Sequence, residues 1–452
     1  MKPNFSLSGM PDYNSLKMKK RLYVLSIIEE QFKLFGFLRI MTSSIEKRSN
    51  LFGSYGNDGD KLIFQILNSG EYLSKIDLDV QKINSNELSP LISNKALRYD
   101  LTVPFARFIA KNQSDITFPF KRYEIGSVFR ADRPQKGRLR QFVQCDADMI
   151  GSTSLWFEVD LINLIDTVFS SLKLNNVVIK ISNRKILEGF FDTFKRQISF
   201  NDFCVIVDKL DKIGLNKVMS ILLDKGFSTE DVKIIEKIFL LDSDFINKKK
   251  YIQKLVASND KLVNGFKELD FIFNNTSCQN IVFDLSLARG LDYYTGSIFE
   301  VTTLNNKNGS LLGGGRYDQL TEKFKLNNIS GVGISFGLDR ICLELESLDL
   351  FPKDISIQLD CLFINFGYEN SQYLQSYITQ LRQYGFSVEL YPESVKIKKQ
   401  MSYANKRGVS YVLMVGEEEI KNKKISIKYM DNGIQESLVF EELIKKLESN
   451  NE

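Results

Sequence analysis

Histidine is absent from all 452 residues. That absence excludes any Ser-His-Asp triad, any Cys-His pair and any histidine-ligated zinc. Acid–base work near neutral pH is left to carboxylates, lysine, tyrosine, cysteine or the substrate itself. The five cysteines, Cys145, Cys204, Cys278, Cys342 and Cys361, stand singly with no C-x-x-C spacing. Neither a disulfide framework nor a zinc ribbon follows from that pattern, no metal site is expected, and a reducing cytoplasm is the expected compartment. No apolar run reaches the roughly 18 residues that a membrane helix needs. Residues 1–12 hold no apolar signal core, so a soluble intracellular protein is expected. The phosphate-cradling pattern G-x-x-x-x-G-K-[ST] is also missing, which argues against a P-loop nucleotidase.

What is present begins with length, which implies two or three domains and an ample core. The net charge of +4 says little as a sum. Lys248 to Lys250 and Lys421 to Lys424 read as solvated faces. The densest signal is Arg130 to Phe142, where five cations fall within eleven residues between Phe129 and Phe142. Pro134 and Gly137 break its middle, so it reads as two short strands joined by a basic loop that suits a polyanion.

The rest of the chain divides by pattern. Asn14 or Ser15 caps a helix reaching Phe35, with Met18, Leu22, Leu25, Ile28, Phe32 and Phe35 as its apolar stripe and Gly36 as its stop. Residues 157–174 read as a helix. From about 175 to 276, charged amphipathic helices with short strands suggest an inserted module. Strand signals return at 281–285, 297–302 and 331–336. After a linker at 344–355, residues 356–452 alternate strand and helix, as an α/β unit with a partly parallel sheet does.

Two more clusters carry chemistry. Arg289-Gly290-Leu291-Asp292-Tyr293-Tyr294 sits between strand signals, and Gly313-Gly314-Gly315-Arg316-Tyr317-Asp318 lets backbone approach a ligand. The glycines of Gly331 to Gly337 read as room for strand–helix packing. Arg340, in the first turn of the next helix, opposes the helix dipole and so reads as a ligand contact.

Arg130 to Phe142 resembles motif 2 of the class II aminoacyl-tRNA synthetases, and Gly331 to Arg340 resembles motif 3. Four ordered blocks narrow the resemblance to the histidyl-tRNA synthetases: Leu97 to Thr102, Arg133 to Arg138, Gln144 to Asp148, and Leu287 to Tyr294. The resemblance runs from about Gly9 to Lys446. It implies an α+β fold, with an antiparallel-sheet catalytic domain at 1–343, a helical insertion, and an anticodon-binding α/β domain at 356–452. It implies a homodimer whose partners are histidine tRNA, L-histidine and ATP, with Mg2+ accompanying ATP.

The resemblance also implies roles. Arg130 and Arg289 flank the α-phosphate as catalytic cations, a guanidinium fork fitting two oxygens. Phe142 and Arg340 sandwich the adenine, and Asp132 bonds its amino group or a neighbouring cation. Asp100, Thr102 and Gln144 receive the α-amino group, and Asp148, Tyr293 and Tyr294 receive the imidazole. Arg133, Gln135, Lys136 and Arg140 embrace the tRNA acceptor end, while Lys398, Lys399, Asn405, Lys406 and Arg407 track its backbone elsewhere. Two residues depart from the family pattern: Ser43 replaces a motif 1 proline at the dimer interface, and Val143 replaces an aromatic or histidine. The alternatives are a non-catalytic regulatory relative and a class II enzyme for proline, threonine or glycine. Retention of Arg130, Arg289 and Arg340 weighs against the first, and Asp148 with Tyr293-Tyr294 against the second.

Overall fold

Apolar and polar side chains alternate along several long strands, and a sheet with one dry face and one working face follows from that. The structure is a computed structural model that describes residues 5–73, 84–194, 197–256, 258–288, 293–305, 308–356 and 359–449. It has two compact units, Met1–Tyr13 with Arg21–Leu350, and Asn14–Lys20 with Phe351–Glu452.

The larger unit begins with β1 (Leu38–Arg39), β2 (Ile45–Lys47), β3 (Gln65–Ile66) and β4 (Lys95–Leu97). It continues with β5 (Phe120–Phe129), β6 (Gln141–Ile150), β7 (Val177–Asn183) and β8 (Ile281–Phe283). It ends with β9 (Ser297–Thr303), β10 (Leu312–Tyr317) and β11 (Gly331–Gly337). One eight-stranded sheet runs β1-β5-β6-β11-β10-β9-β7-β8, and β2, β4 and β3 form a small second sheet. The strands from β5 to β7 in that order pair antiparallel, and parallel pairs with β1 and β8 close the two edges.

Period-two alternation assigns the faces. On β6, Cys145, Ala147 and Met149 are buried apolar residues, whereas Gln144, Asp146 and Asp148 point the other way and line a cavity. The dry face is packed by the Ser15–Leu34 and Trp156–Ser171 helices. Phe32 lies 5.3 Å from Tyr123 and 5.9 Å from Phe336, and Phe169 lies 5.8 Å from Phe336.

The structure amends several expectations. The basic hairpin joins two strands of ten residues each, not short ones. The first helix buries Arg21, Val24, Ile28 and Phe32, while Met18 and Leu22 are exposed. Arg21 has an acidic partner inside, so the buried face is turned away from the stripe that apolarity alone selects. The insertion starts later than 175, because β7 pairs with β9 across its full length and belongs to the main sheet. Among the described residues, 184–275 holds helices and no strands, with caps such as the Ser228–Asp231 box and Asn259. The helix Leu338–Ser347 runs into the expected linker, and its buried Glu344 accepts from Asn308 Nδ2 at 2.6 Å.

The smaller unit holds β12 (Leu359–Phe363), β13 (Val388–Leu390), β14 (Val409–Met414), β15 (Ile425–Tyr429) and β16 (Gln435–Leu438), in the order β13-β12-β14-β15-β16. β13, β12 and β14 are parallel and the rest antiparallel. Both faces are covered, one by a core around Phe363 and Leu374 and the other by one around Leu362 and Ala404. Gly385 and Gly408, with φ of +90° and +66°, follow the two crossover helices at positions where a side chain is strained.

Candidate active site

A cavity of about 670 Å³ opens on the polar face of the large sheet. Strand register builds its floor. Asp148 lies opposite Arg122 on β5 and Gly333 on β11, and Gln144 lies opposite Gly126 and Gly337. A Cβ added at Gly333 would sit 1.9 Å from Asp148 Oδ1, so this glycine makes room for a carboxylate. The expected role in strand–helix packing is therefore replaced at Gly333 by a cross-strand one.

Asp148 is held from two sides. Tyr317 Oη donates to its Oδ1 at 2.6 Å, and Arg122 Nη2 stands 2.7 Å from its Oδ2. Burial raises the Asp148 carboxyl above the usual aspartate range, and the Arg122 guanidinium opposes that rise. Asp146 is raised well above its usual range by burial, again against Arg122. Asp100 accepts from Tyr55 Oη at 3.0 Å and from the Val103 amide at 3.1 Å, and burial raises it too. Gln144 Nε2 donates to Ser335 Oγ at 2.7 Å. The buried oxygens Asp100 Oδ2, Asp146 Oδ1 and Gln144 Oε1 accept no hydrogen bond among the described residues. Buried acceptors left without donors are costly, and a ligand rich in N–H groups would satisfy all three.

Thr102, Tyr293 and Tyr294 line the same cavity. Tyr293 packs edge-on against Tyr294 at 4.8 Å and perpendicular to Tyr317 at 6.4 Å. The expected imidazole groups, Asp148 and Tyr294, line one cavity, and a residue outside that expectation, Tyr317, supplies the hydroxyl bonded to Asp148. That tyrosine lay inside the Gly313 to Asp318 cluster, so a signal for it existed. Arg122 gave none, because its role depends on which residue faces it across the strands.

The other end of the cavity is cationic and aromatic. The Arg130 guanidinium lies 4.3 Å from the Tyr99 ring and 5.2 Å from the Phe142 ring, and its Nε donates to the Tyr99 carbonyl at 3.1 Å. Asp132 accepts two bonds from Arg138 at 2.8 and 2.9 Å. Arg340 is fixed by donation to the carbonyls of Gly137 at 2.9 Å and Ser310 at 2.7 Å. Gln135 and Lys136 line the rim. Arg133 and Arg140 are not among the lining residues, and Arg140 Nε donates to the Asp132 carbonyl at 3.0 Å. Arg289 lies outside the described residues. Val207, Leu210 and Lys212 bring the helical insertion to one wall. Among the described residues, no three His, Cys, Asp or Glu side chains gather as a metal site.

In the smaller unit, Lys398, Lys399 and Lys406 line a second cavity of about 540 Å³ with Tyr391, Lys396 and Tyr403. Asn405 and Arg407 do not line it, and Arg407 pairs with Glu389 at 3.0 Å.

Comparison with known proteins bears on both units. The family model described as histidyl-tRNA synthetase matches residues 93–341, and that of an anticodon binding domain matches residues 360–450. The histidine–tRNA ligase of Christiangramia forsetii is 48% identical over 439 residues, covering 96% of each chain. That of Flavobacterium johnsoniae is 45% identical over 464 residues, covering 97% of this chain and 98% of its own. The crystal structure of a Nostoc histidyl-tRNA synthetase superposes with a TM-score of 0.80 at 28% identity, covering 99% of this chain and all of that one.

Proposed function

The chain belongs to the histidyl-tRNA synthetase family, and from that premise we propose how its cavity carries out the reaction. It is a histidine–tRNA ligase. A carboxylate oxygen of L-histidine attacks the α-phosphorus of ATP. The bond from that phosphorus to the α–β bridging oxygen breaks, and pyrophosphate leaves. A terminal ribose hydroxyl of histidine tRNA then attacks the acyl carbon and AMP leaves. An oxygen of the departing phosphate takes the hydroxyl proton.

The observation that carries the assignment of residues is the set of buried acceptors without donors, Asp100 Oδ2, Asp146 Oδ1 and Gln144 Oε1, beside a carboxylate clamped by Tyr317 and Arg122. An α-ammonium group satisfies Asp100 and Gln144 beside the start of the Thr102–Asn112 helix. An imidazole N–H is accepted by Asp148, with Tyr293 and Tyr294 closing the ring's slot. A side chain with no N–H for Asp148 forfeits a bond to a buried carboxylate, at about 1–3 kcal/mol, which is the source of selectivity.

At the other end, Arg130 faces the α-phosphate with its position set by Tyr99, and Arg289 supplies the opposing charge. Fixed cations at a developing phosphorane need no reorganisation during reaction, so electrostatic preorganisation and positioning carry the rate. Phe142 and Arg340 take the adenine between them, with Asp132 and Arg138 at its edge. Magnesium would accompany ATP and offset the negative charge of its phosphates. Arg133, Gln135, Lys136 and Arg140 receive the acceptor end of tRNA, and the lysines of the second cavity receive its phosphates.

A homodimer is the proposed assembly. Leu34, Leu38, Met41 and Ile45, close together in sequence, are 71%, 61%, 86% and 50% exposed, and apolar side chains so exposed suit burial by a second copy. No described helix is long and apolar enough to cross a membrane, and the cytoplasm is the proposed location.

Charging of histidine tRNA with labelled histidine tests the reading. Wild type forms the ester, and Arg130→Ala loses adenylate formation by about 100-fold or more. Absence of charging by the wild-type chain rejects the reading.

A further inference from the structure

Between the basic hairpin and the helix that carries Arg340 runs an N-terminal segment that no step above uses. The Gly9 carbonyl accepts from the amides of Arg140 at 2.8 Å and Gln141 at 3.2 Å, immediately before Phe142. The Arg130 amide in turn donates to the Arg140 carbonyl at 2.9 Å, which closes the base of the hairpin. Gly9 has φ of +80°, and a Cβ there would lie 2.9 Å from Pro134 Cγ and 3.0 Å from Arg140 Cγ. The contact therefore needs glycine both for its conformation and for its closeness.

Farther along, Tyr13 Oη donates to Asp339 Oδ1 at 2.8 Å. Arg21 lies over the Tyr13 ring at 4.2 Å and forms an ion pair with the same Oδ1, although only 7% of Arg21 is exposed. The second oxygen, Asp339 Oδ2, accepts from the Val143 amide at 3.3 Å. Asp339 is the residue before Arg340, and Val143 is the residue after Phe142. One carboxylate thus ties together the backbone beside each of the two groups assigned to the adenine. A hydrogen bond from Ser6 Oγ to Asp12 Oδ2 at 2.7 Å and a turn from the Met10 amide to the Leu7 carbonyl at 3.0 Å bracket Gly9 and hold its loop. Gly9, Tyr13 and Arg21 do not line the cavity, and Asp339 does.

We propose that Gly9 to Tyr13, with Arg21, form a positioning strap for the nucleotide end of the cavity, with Asp339 as its hub. The proposal rests on the assignment of Phe142 and Arg340 to the adenine. The strap fixes the width of the slot between those two side chains by anchoring the strand on one side and the helix on the other. Asp339 is a positioning residue, since its oxygens are taken by Tyr13, Arg21 and Val143. Among the described residues, the side chains of Asp100, Gln144 and Asp148 bond to Tyr55, Val103, Ser335, Tyr317 and Arg122 and not to the strap, which meets that end only through the Val143 backbone before Gln144. The strap therefore acts on ATP and not on the amino acid.

Titration calorimetry of the full chain with ATP alone and with histidine alone tests this, alongside histidine-dependent pyrophosphate exchange and a melting curve for each variant. Tyr13→Phe removes one donor and leaves the ion pair, whereas Asp339→Asn removes the charge. The dissociation constant for ATP rises about threefold in the first and about tenfold in the second, while that for histidine stays within about twofold. In exchange, the KM for ATP rises by the same factors and the KM for histidine does not. Equal weakening of both ligands, or a fall in melting temperature with ATP affinity unchanged in both variants, overturns the strap. Loss of histidine-dependent exchange in the wild type instead strikes the functional assignment, and ATP affinity still decides the strap.

Discussion

Gly333 and Asp148 face each other across two strands so closely that an alanine methyl at 333 would lie 1.9 Å from the Asp148 carboxylate. Neither can change without the other. Gly333→Ala must push the carboxylate off Tyr317 or bend β11. The expected loss is about 1–3 kcal/mol of stability, with larger damage to histidine binding than to ATP binding. Denaturant melts and the two KM values check this. A histidine KM that stays at the wild-type value contradicts it.

Tyr317→Phe leaves the strand packing intact and removes the donor to Asp148 Oδ1. A buried carboxylate oxygen then lacks a partner, at about 1–3 kcal/mol, and histidine affinity is expected to fall by about tenfold. Tyr294→Phe is expected to do less to Asp148, because the bond to that carboxylate comes from Tyr317. Comparing the histidine KM of the two variants ranks them.

Asp100 gives a pH dependence with a definite sign. Burial raises its carboxyl above the usual aspartate range in the empty site, against the Val103 amide and the Arg130 charge. An ammonium group at its free oxygen favours the ionised form, so histidine binding expels a proton wherever Asp100 is protonated. Affinity then increases as pH rises through the empty-site value and levels off above it. Calorimetry in two buffers of different ionisation heat measures the protons released. Asp100→Asn is expected to release fewer below that value, and equal release in both proteins contradicts the assignment.

Asp146 predicts a stability effect of the opposite kind. Its carboxyl is held well above its unfolded value by burial, so whatever stability it contributes is present below the unfolded value and is lost as pH rises through the folded one. Above its unfolded value, keeping this carboxyl buried opposes folding of the empty protein. Asp146→Asn is expected to raise the melting temperature at neutral pH, and the gain should vanish in acid, where both side chains are neutral. A lower melting temperature at neutral pH contradicts the view that this site is strained for its ligand.

Much of this molecule could be read from residue patterns, and the omissions have physical causes. Helices and strands of the smaller unit were legible because Gly385 and Gly408 punctuate clean periodicity. Asp100, Arg130, Gln144 and Asp148 sit in dense local clusters of the sequence, and the fold brings them to one cavity. Arg122 was not, since a lone arginine in a strand reveals its partner only through cross-strand register. Arg21 misled the reading of the first helix, because a cation on a buried face looks polar until its distant acid, Asp339, is known. β7 was assigned to the insertion because its pairing partner, β9, lies more than a hundred residues away in sequence.

The central claim is that one cavity activates histidine with ATP, and pyrophosphate exchange across all the standard amino acids tests it most directly. Exchange dependent on histidine, exceeding that with any other amino acid by about a hundredfold or more, is the expected result. Exchange with none of them, or equally with proline, threonine or glycine, would contradict the account.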